Sequence, residues 1–198
     1  LALARPPRFA DARLERAGQV VLGSDLDAIA RGVADAANGL LPAEPSISLD
    51  IPSNVDPTRA PPGHATVRLQ VLEVPTRPHG DAAGAIAGLD GTWTDAAAER
   101  FADRLVAIAD RHAPGLADAV LGRAVVTPAT LAAANPNAGP GDPYAGAYDL
   151  LQAFRRPLPS QPGYATPIQH LWMTGASTWP GGGVSGISGH VIAQTLLG

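Results

Sequence analysis

The chain has 198 residues, 45% of them apolar, a formal net charge of -4 and no cysteine. Missing cysteine removes disulfides, thiolate metal sites and redox dithiols, and the negative charge argues against general nucleic-acid binding, whose footprint is a basic surface. No run approaches the roughly 20 apolar residues of a membrane-spanning helix, while a chain of this length can bury roughly 70% of its unfolded surface in a core.

Lysine is absent and all 14 basic residues are Arg, which reads as compositional drift. The start, Leu1-Ala2-Leu3-Ala4-Arg5-Pro6-Pro7, is broken by proline too soon for a signal peptide. It lacks an initiator Met, and with an end on Leu196-Leu197-Gly198 the chain reads as a piece of something larger.

In chain order, residues 19–22 form a short expected strand. Gly23-Ser24-Asp25-Leu26-Asp27 then opens a helix, with Ser24 as cap and Asp27 three residues on. Leu26, Ile29, Ala30 and Val33 follow at helical spacing, and Asn38-Gly39 stops the helix. Residues 46–51 alternate apolar Ile47, Leu49 and Ile51 with polar neighbours, the period of a half-buried strand. Its expected partner is 65–74, with Val67, Leu69 and Val71 on one face and Arg68, Gln70 and Leu72 on the other. The intervening residues 52–64, with four prolines, are too long and stiff for a tight hairpin turn, and residues 77–91, rich in Gly and Ala, read as a mobile loop.

Thr94-Asp95 caps the clearest helix, with Phe101, Leu105, Ile108 and Ala109 on one stripe, and Pro114-Gly115 ends it. A short helical turn over 116–121, a third strand over 123–127 and a short helix over 128–134 are expected next. Residues 135–143 are turn-forming throughout, 144–154 regain apolar character, and Pro157, Pro159 and Pro162 form a proline belt before a final strand.

The five histidines, His64, His79, His112, His170 and His190, stand far apart with no partner at zinc-binding spacing, so no metal site is expected. A serine-hydrolase elbow needs G-x-S-x-G, and the nearest stretches, around Ser177 and Ser185, miss the last glycine. The chemistry concentrates in 170–186, a short apolar strand running into a Gly-rich turn and a terminal helix. Such a turn aims backbone N–H groups and the positive end of a helix dipole at an anion. Gly181, Gly183 and Gly186 match G-x-G-x-x-G, but the chain stops 12 residues later, before the second strand and acidic residue of a full dinucleotide fold. On the residues alone two readings stand: a contact on one side of a cofactor held mainly elsewhere, or a glycine turn that lets a helix pack closely on a sheet.

The stretch Leu171-Trp172-Met173-Thr174-Gly175-Ala176-Ser177-Thr178-Trp179-Pro180-Gly181-Gly182-Gly183-Val184-Ser185-Gly186 resembles the C-terminal flavin signature of the phytoene desaturase and carotenoid isomerase-like FAD oxidoreductases. Leu22-Gly23-Ser24-Asp25-Leu26-Asp27, Ile51-Pro52-Ser53, Ala60-Pro61-Pro62-Gly63-His64, Phe101-Ala102-Asp103-Arg104, Ala113-Pro114-Gly115, Leu121-Gly122-Arg123 with Thr127-Pro128, and Arg156-Pro157-Leu158-Pro159 agree in the same order. Family members often carry His where this chain has Trp179, and His-Gly where it has Ala145-Gly146. Their N-terminal dinucleotide-binding motif has no counterpart here.

The resemblance implies an α+β chain, a mixed β-sheet with packed helices, covering much of a substrate-binding domain (residues 1–162). A C-terminal strand-turn-helix (163–198) would complete an FAD-binding domain in a longer parent. It also implies FAD as cofactor, contacted through backbone groups of Gly175, Ala176, Pro180, Gly181, Gly182, Gly183, Val184 and Gly186. The implied activity is desaturation, isomerisation or saturation of an apolar isoprenoid- or polyene-like substrate, in the cytoplasm or at a membrane periphery, and inactive in this piece alone. Implied partners are the N-terminal FAD-binding half and, as a further expectation, a second copy of the chain. No catalytic acid or base is visible. The alternative is a non-catalytic binding or dimerisation module.

Overall fold

The computed structural model describes residues 1–23, 25–142, 144, 146, 149–158, 160–183 and 185–198. Ser24, the expected helix cap, lies outside the described residues, as do Pro143, Ala145, Tyr148, Pro159 and the expected cofactor contact Val184. Two compact units divide the chain, Leu1–Thr127 and Pro128–Gly198. The expected domain boundary at 162/163 falls inside the second.

The first unit runs β1 (Ala2–Leu3), β2 (Gln19–Leu22), α1 (Leu26–Ala37), β3 (Leu40–Leu41), β4 (Ile47–Asp50), α2 (Pro52–Val55), β5 (Ala65–Thr66), β6 (Arg68–Gln70), β7 (Gly80–Asp81), α3 (Asp95–His112) and β8 (Val120–Gly122). Its centre is the antiparallel sheet β2-β4-β6. The alternation read from 46–51 places Ile47, Leu49 and Ile51 inward, each fully buried, and each such side chain stabilises the fold by about 1.5–3 kcal/mol relative to exposure. Val20 and Leu69 flank Leu49 in register, while Gln19 and Arg68 flank Asp50 on the outer face. There the Gln19 amide donates to Ser48 Oγ (2.7 Å), Ser48 donates to Asp50 Oδ1 (2.8 Å), and Arg68 Nε donates to Asp50 Oδ2 (2.7 Å). Asp50 is buried under this network, which supplies the hydrogen bonds a desolvated carboxylate requires.

The expected partner strand 65–74 is split. Ala65–Thr66 pairs with β1, Arg68–Gln70 pairs with β4, and Val67 between them donates its N–H to the Leu1 carbonyl. β1 also pairs with β8, at Leu3↔Val120 and Ala2↔Gly122. The third strand is therefore 120–122 rather than the expected 123–127. Its position is set by β1 rather than by local sequence, and the Arg123 side chain turns away to pair with Glu99 and Asp103 of α3.

α3 starts where Thr94 Oγ1 accepts the Ala97 N–H at 3.2 Å. Phe101, Ile108 and Ala109 are buried, and Ile108 and Ala109 pack on the sheet's inner face. Leu105 joins that core to a second cluster of Leu41, Ile86 and Phe101. Residues 77–91, expected as a mobile loop, are instead packed. β7 pairs in parallel with β3, the His79 N–H donates to Gly39 and the Ala82 N–H to Leu41, and Ile86 is buried. Non-local pairing orders this segment, and periodicity does not register it. The stiff stretch 52–64 is likewise tied down, by α2 and by Asn54 Nδ2, which donates to the carbonyls of Glu15 and Ala17 at 2.9 Å each.

α1 is capped by Asp25, whose side chain accepts the Ala28 N–H at 2.7 Å, and it stops at Asn38 with Gly39 at φ 75°. Its apolar residues do not face the core: Leu26, Ile29 and Val33 are 79%, 40% and 52% exposed, and the small residues Ala28 and Gly32 are buried instead.

The second unit contains α4 (Pro128–Ala134), α5 (Leu150–Arg155), β9 (Pro157–Leu158), β10 (Gln161–Pro162) and α6 (Ile187–Leu197). β9 and β10 form a small antiparallel hairpin from the expected proline belt. The expected short strand that opens the stretch 170–186 is reduced to a single bridge, Ala165↔Trp172, reinforced by the Met173 N–H donating to the Tyr164 carbonyl at 2.8 Å. A strand needs a neighbour along its length, and among the described residues only this short stretch supplies one. Among the described Ala, Val, Ile, Leu, Met, Phe and Trp side chains of this unit, Ile192 alone is buried. No helix among the described residues is long and apolar enough to cross a membrane.

Candidate functional site

The Gly-rich turn and the start of α6 enclose a cleft of about 310 Å³ lined by Thr174, Gly175, Ala176, Pro180, Gly181, Gly183, Ser185, Gly186, Ser188 and Gly189. Six of the residues singled out from the sequence, Gly175, Ala176, Pro180, Gly181, Gly183 and Gly186, thus line one concavity. Gly182 is not among its lining residues.

Backbone shape requires glycine at four of these places, Gly175, Gly181, Gly183 and Gly186. Gly183 has φ 136° and Gly186 φ 66°, conformations that an L side chain adopts only at a cost. A Cβ placed on Gly175, Gly183, Gly186 or Gly189 would meet nothing within 4 Å, so side chains there would fill open space rather than clash with the fold. The glycines keep the concavity clear.

Gly186 also serves as N-cap of α6 without a side-chain cap, and the first intrahelical bond runs from the His190 N–H to the Gly186 carbonyl at 3.0 Å. The N–H groups of Ser188 and Gly189 precede that bond and have no acceptor inside the helix. Ser185 Oγ lies 3.4 Å from the Ile187 N–H. None of the lining side chains is charged, so an anion here would be balanced by N–H and hydroxyl donors and by the helix dipole, a contribution of typically 0.3–1 kcal/mol for an exposed terminus.

Two of the expected contact residues have their N–H groups engaged within the protein. The Gly175 N–H donates to Ser188 Oγ at 3.3 Å, and the Gly175 carbonyl accepts from the Thr178 N–H (3.0 Å) and Thr178 Oγ1 (2.9 Å). The Gly181 N–H donates to the Thr178 carbonyl at 2.7 Å. Gly175 and Gly181 therefore shape the cleft while their N–H groups are spent inside the protein. Among the described residues, the first turn of α6 and the hydroxyls of Thr174, Ser185 and Ser188 offer donors to a ligand. The sequence reading missed these hydroxyl residues, though Ser185 and Ser188 flank a glycine at a helix start, where Ser is a common donor and cap.

The expected FAD can be tested against this donor set. The cleft's size falls at the lower end of small-molecule sites, about 300–1,000 Å³. Its open Cβ positions and neutral donors fit close approach of a phosphate or of one edge of a flavin, and they do not enclose a whole dinucleotide.

A second concavity, of about 260 Å³, lies in the first unit between Leu22, Ala28, Ile29 and Ile108, with the ion-paired Glu44 and Arg111 at its rim. It contains none of the residues singled out from the sequence as cofactor contacts.

Comparison with known proteins gives the class first: the chain is a homologue of oxidoreductases. It is 35% identical over 164 residues to pyridine nucleotide-disulfide oxidoreductase domain-containing protein 2 of Mus musculus, covering 82% of this chain and 26% of that protein. The Rattus norvegicus protein of the same name gives the same figures. A limonene dehydrogenase subunit of Castellaniella defragrans is 30% identical over 150 residues, covering 73% of this chain and 25% of that protein. The chain thus spans about a quarter of the length of the curated relatives it matches. Neither name is that of a phytoene desaturase, so the relatives support the oxidoreductase class more broadly than the sequence resemblance stated it. No protein-family model matches the chain.

Proposed function

We propose that the chain is part of an FAD-dependent oxidoreductase in which the Gly-rich cleft closes over one side of the flavin cofactor. The observation that carries this reading is the convergence of Gly175, Ala176, Pro180, Gly181, Gly183 and Gly186 with the start of α6 on one cleft, in a homologue of oxidoreductases. Ser185 and Ser188 would donate hydroxyl hydrogen bonds to the cofactor, with the Ser188 and Gly189 N–H groups beside them, and the glycines would admit it closely. When bound, the flavin supplies the hydride acceptor or donor.

The substrate is an apolar isoprenoid- or polyene-like molecule, a reading supported by the name of the limonene dehydrogenase relative and by the sequence resemblance to carotenoid-type enzymes. The catalyst is the longer protein, located in the cytoplasm or at a membrane periphery. The second unit supports that dependence: Leu150, Leu151, Phe154, Leu196 and Leu197 are each more than half exposed, apolar surface of the kind a partner covers. The N-terminal FAD-binding half of the same protein is the surface that covers them.

Titration of FAD into this chain tests the reading. At micromolar concentrations flavin fluorescence should show little binding, and at millimolar concentrations FAD should shift the amide resonances of Ala176, Gly183 and Gly189 saturably. Tight stoichiometric binding would refute the need for a second half, and unmoved resonances would refute the cleft as a cofactor site. The exposed stripe Leu26, Ile29 and Val33 of α1 favours the other reading, a binding or homodimerisation module. Light scattering showing a stable dimer that ignores FAD would support it.

A further inference from the structure

We infer that Thr178 is a positioning residue for the cleft, an assignment that rests on the cofactor reading above. Thr178 does not line the cleft, yet it is fully buried in a unit whose side chains are otherwise mostly open. All three of its hydrogen-bonding groups go to glycines that do line it. Its N–H and its hydroxyl both donate to the Gly175 carbonyl, at 3.0 and 2.9 Å, and its own carbonyl accepts the Gly181 N–H at 2.7 Å. Gly175 and Gly181 hold φ 101° and 107°, so neither has a side chain with which to fix its place. From outside, Tyr164 Oη donates to the Trp179 carbonyl at 2.9 Å and anchors the next residue of the same turn.

The turn is thus a glycine-rich loop tied together by the N–H, the carbonyl and the hydroxyl of one buried residue, and the hydroxyl is the part of that tie that a substitution can remove. Its shape, and with it the position of Ala176 and Pro180 against the start of α6, depends on a side chain that a ligand in the cleft never touches. Val in place of Thr178 keeps the size and removes the hydroxyl; Ser keeps the hydroxyl.

The test measures the FAD dissociation constant of the full chain from the Ala176, Gly183 and Gly189 amide shifts, in wild type, T178V, T178S and Ile192→Val. Loss of the hydroxyl should weaken binding about tenfold, the equivalent of one net hydrogen bond, and T178S should return it to within about threefold of wild type. Ile192→Val trims a buried apolar side chain of the same unit that does not line the cleft, and should lower the unfolding midpoint without changing the FAD constant. Should T178V not fold, T178C, similar in size to Ser with only a weak donor, replaces it with the same expected loss. Wild-type affinity in T178V or its substitute overturns the assignment, as does equal weakening by Ile192→Val, which would mark a general loss of stability. Unmoved resonances in wild type itself would instead overturn the cofactor reading, and this inference with it.

Discussion

Arg104→Met should destabilise the first unit by about 3–5 kcal/mol at neutral pH, the cost of stripping one partner from a buried ion pair. Arg104 Nη2 lies 2.6 Å from Asp81 Oδ2, with the two side chains 12% and 1% exposed. The same oxygen accepts the N–H groups of Ala85 and Ile86 at 2.8 Å each, and Arg104 Nη1 donates to the Pro42 carbonyl at 2.9 Å. The guanidinium also stands 5.5 Å from the Phe101 ring centroid. Met can keep the packing on Phe101, but it leaves the carboxylate with backbone donors alone and the Pro42 carbonyl without its donor.

The pH dependence has a definite sign. Burial alone raises the Asp81 pKa, but the hydrogen bond from Arg104, those from the Ile86 and Ala85 N–H groups and the charge of Arg104 outweigh it, so the net value lies below the ordinary carboxylate range. A carboxyl depressed in the folded state contributes stability that is complete above its unfolded value, about 3.9, and lost as pH falls through the folded value. Without Arg104 the depression shrinks. The stability gap between wild type and Arg104→Met is therefore widest near neutrality and narrows below about pH 4. Urea unfolding of both proteins, followed by the helical circular dichroism of α3 at pH 7 and pH 3.5, measures that gap. A loss under about 1 kcal/mol at pH 7 would show that the pair is worth no more than a surface bridge. A gap unchanged with pH would show that Asp81 is not its source.

Leu49→Ala should cost about 2–5 kcal/mol, because Leu49 is fully buried and sits between Val20 and Leu69 on the central strand; the urea midpoint reads the loss. Thr94→Ala should cost about 1 kcal/mol by removing the N-cap of α3, with Thr94→Ser restoring most of it in the same assay.

Much of the first unit is legible in the sequence because its signals are local. The period-two pattern of Ile47, Leu49 and Ile51 and the stripe of Phe101, Ile108 and Ala109 both survive in the structure as buried faces. Segments whose order comes from distant partners are not legible. Residues 77–91 have no period because their anchors are the β3 backbone and Arg104, and the shift of the third strand to 120–122 follows from its pairing with β1. α1 shows the opposite failure. Its pattern is clear, yet packing buries Ala28 and Gly32 rather than Leu26 and Val33, since periodicity gives a helix an apolar face without saying which surface meets it.

At the candidate site the division is the same. The glycines of 175–186 could be read directly, because positive φ and an open Cβ position are properties of single residues. By itself the sequence determined that a glycine turn leads into the last helix, that the central strand and the long helix each have one apolar face, and that cysteine chemistry is absent. Only the tertiary structure decided which N–H groups of that turn remain for a ligand, because Thr178 and Ser188 consume those of Gly181 and Gly175 through contacts three and thirteen residues away. A hydrogen bond satisfies a donor wherever in the chain its acceptor comes from, and spacing along the sequence does not record that distance in space.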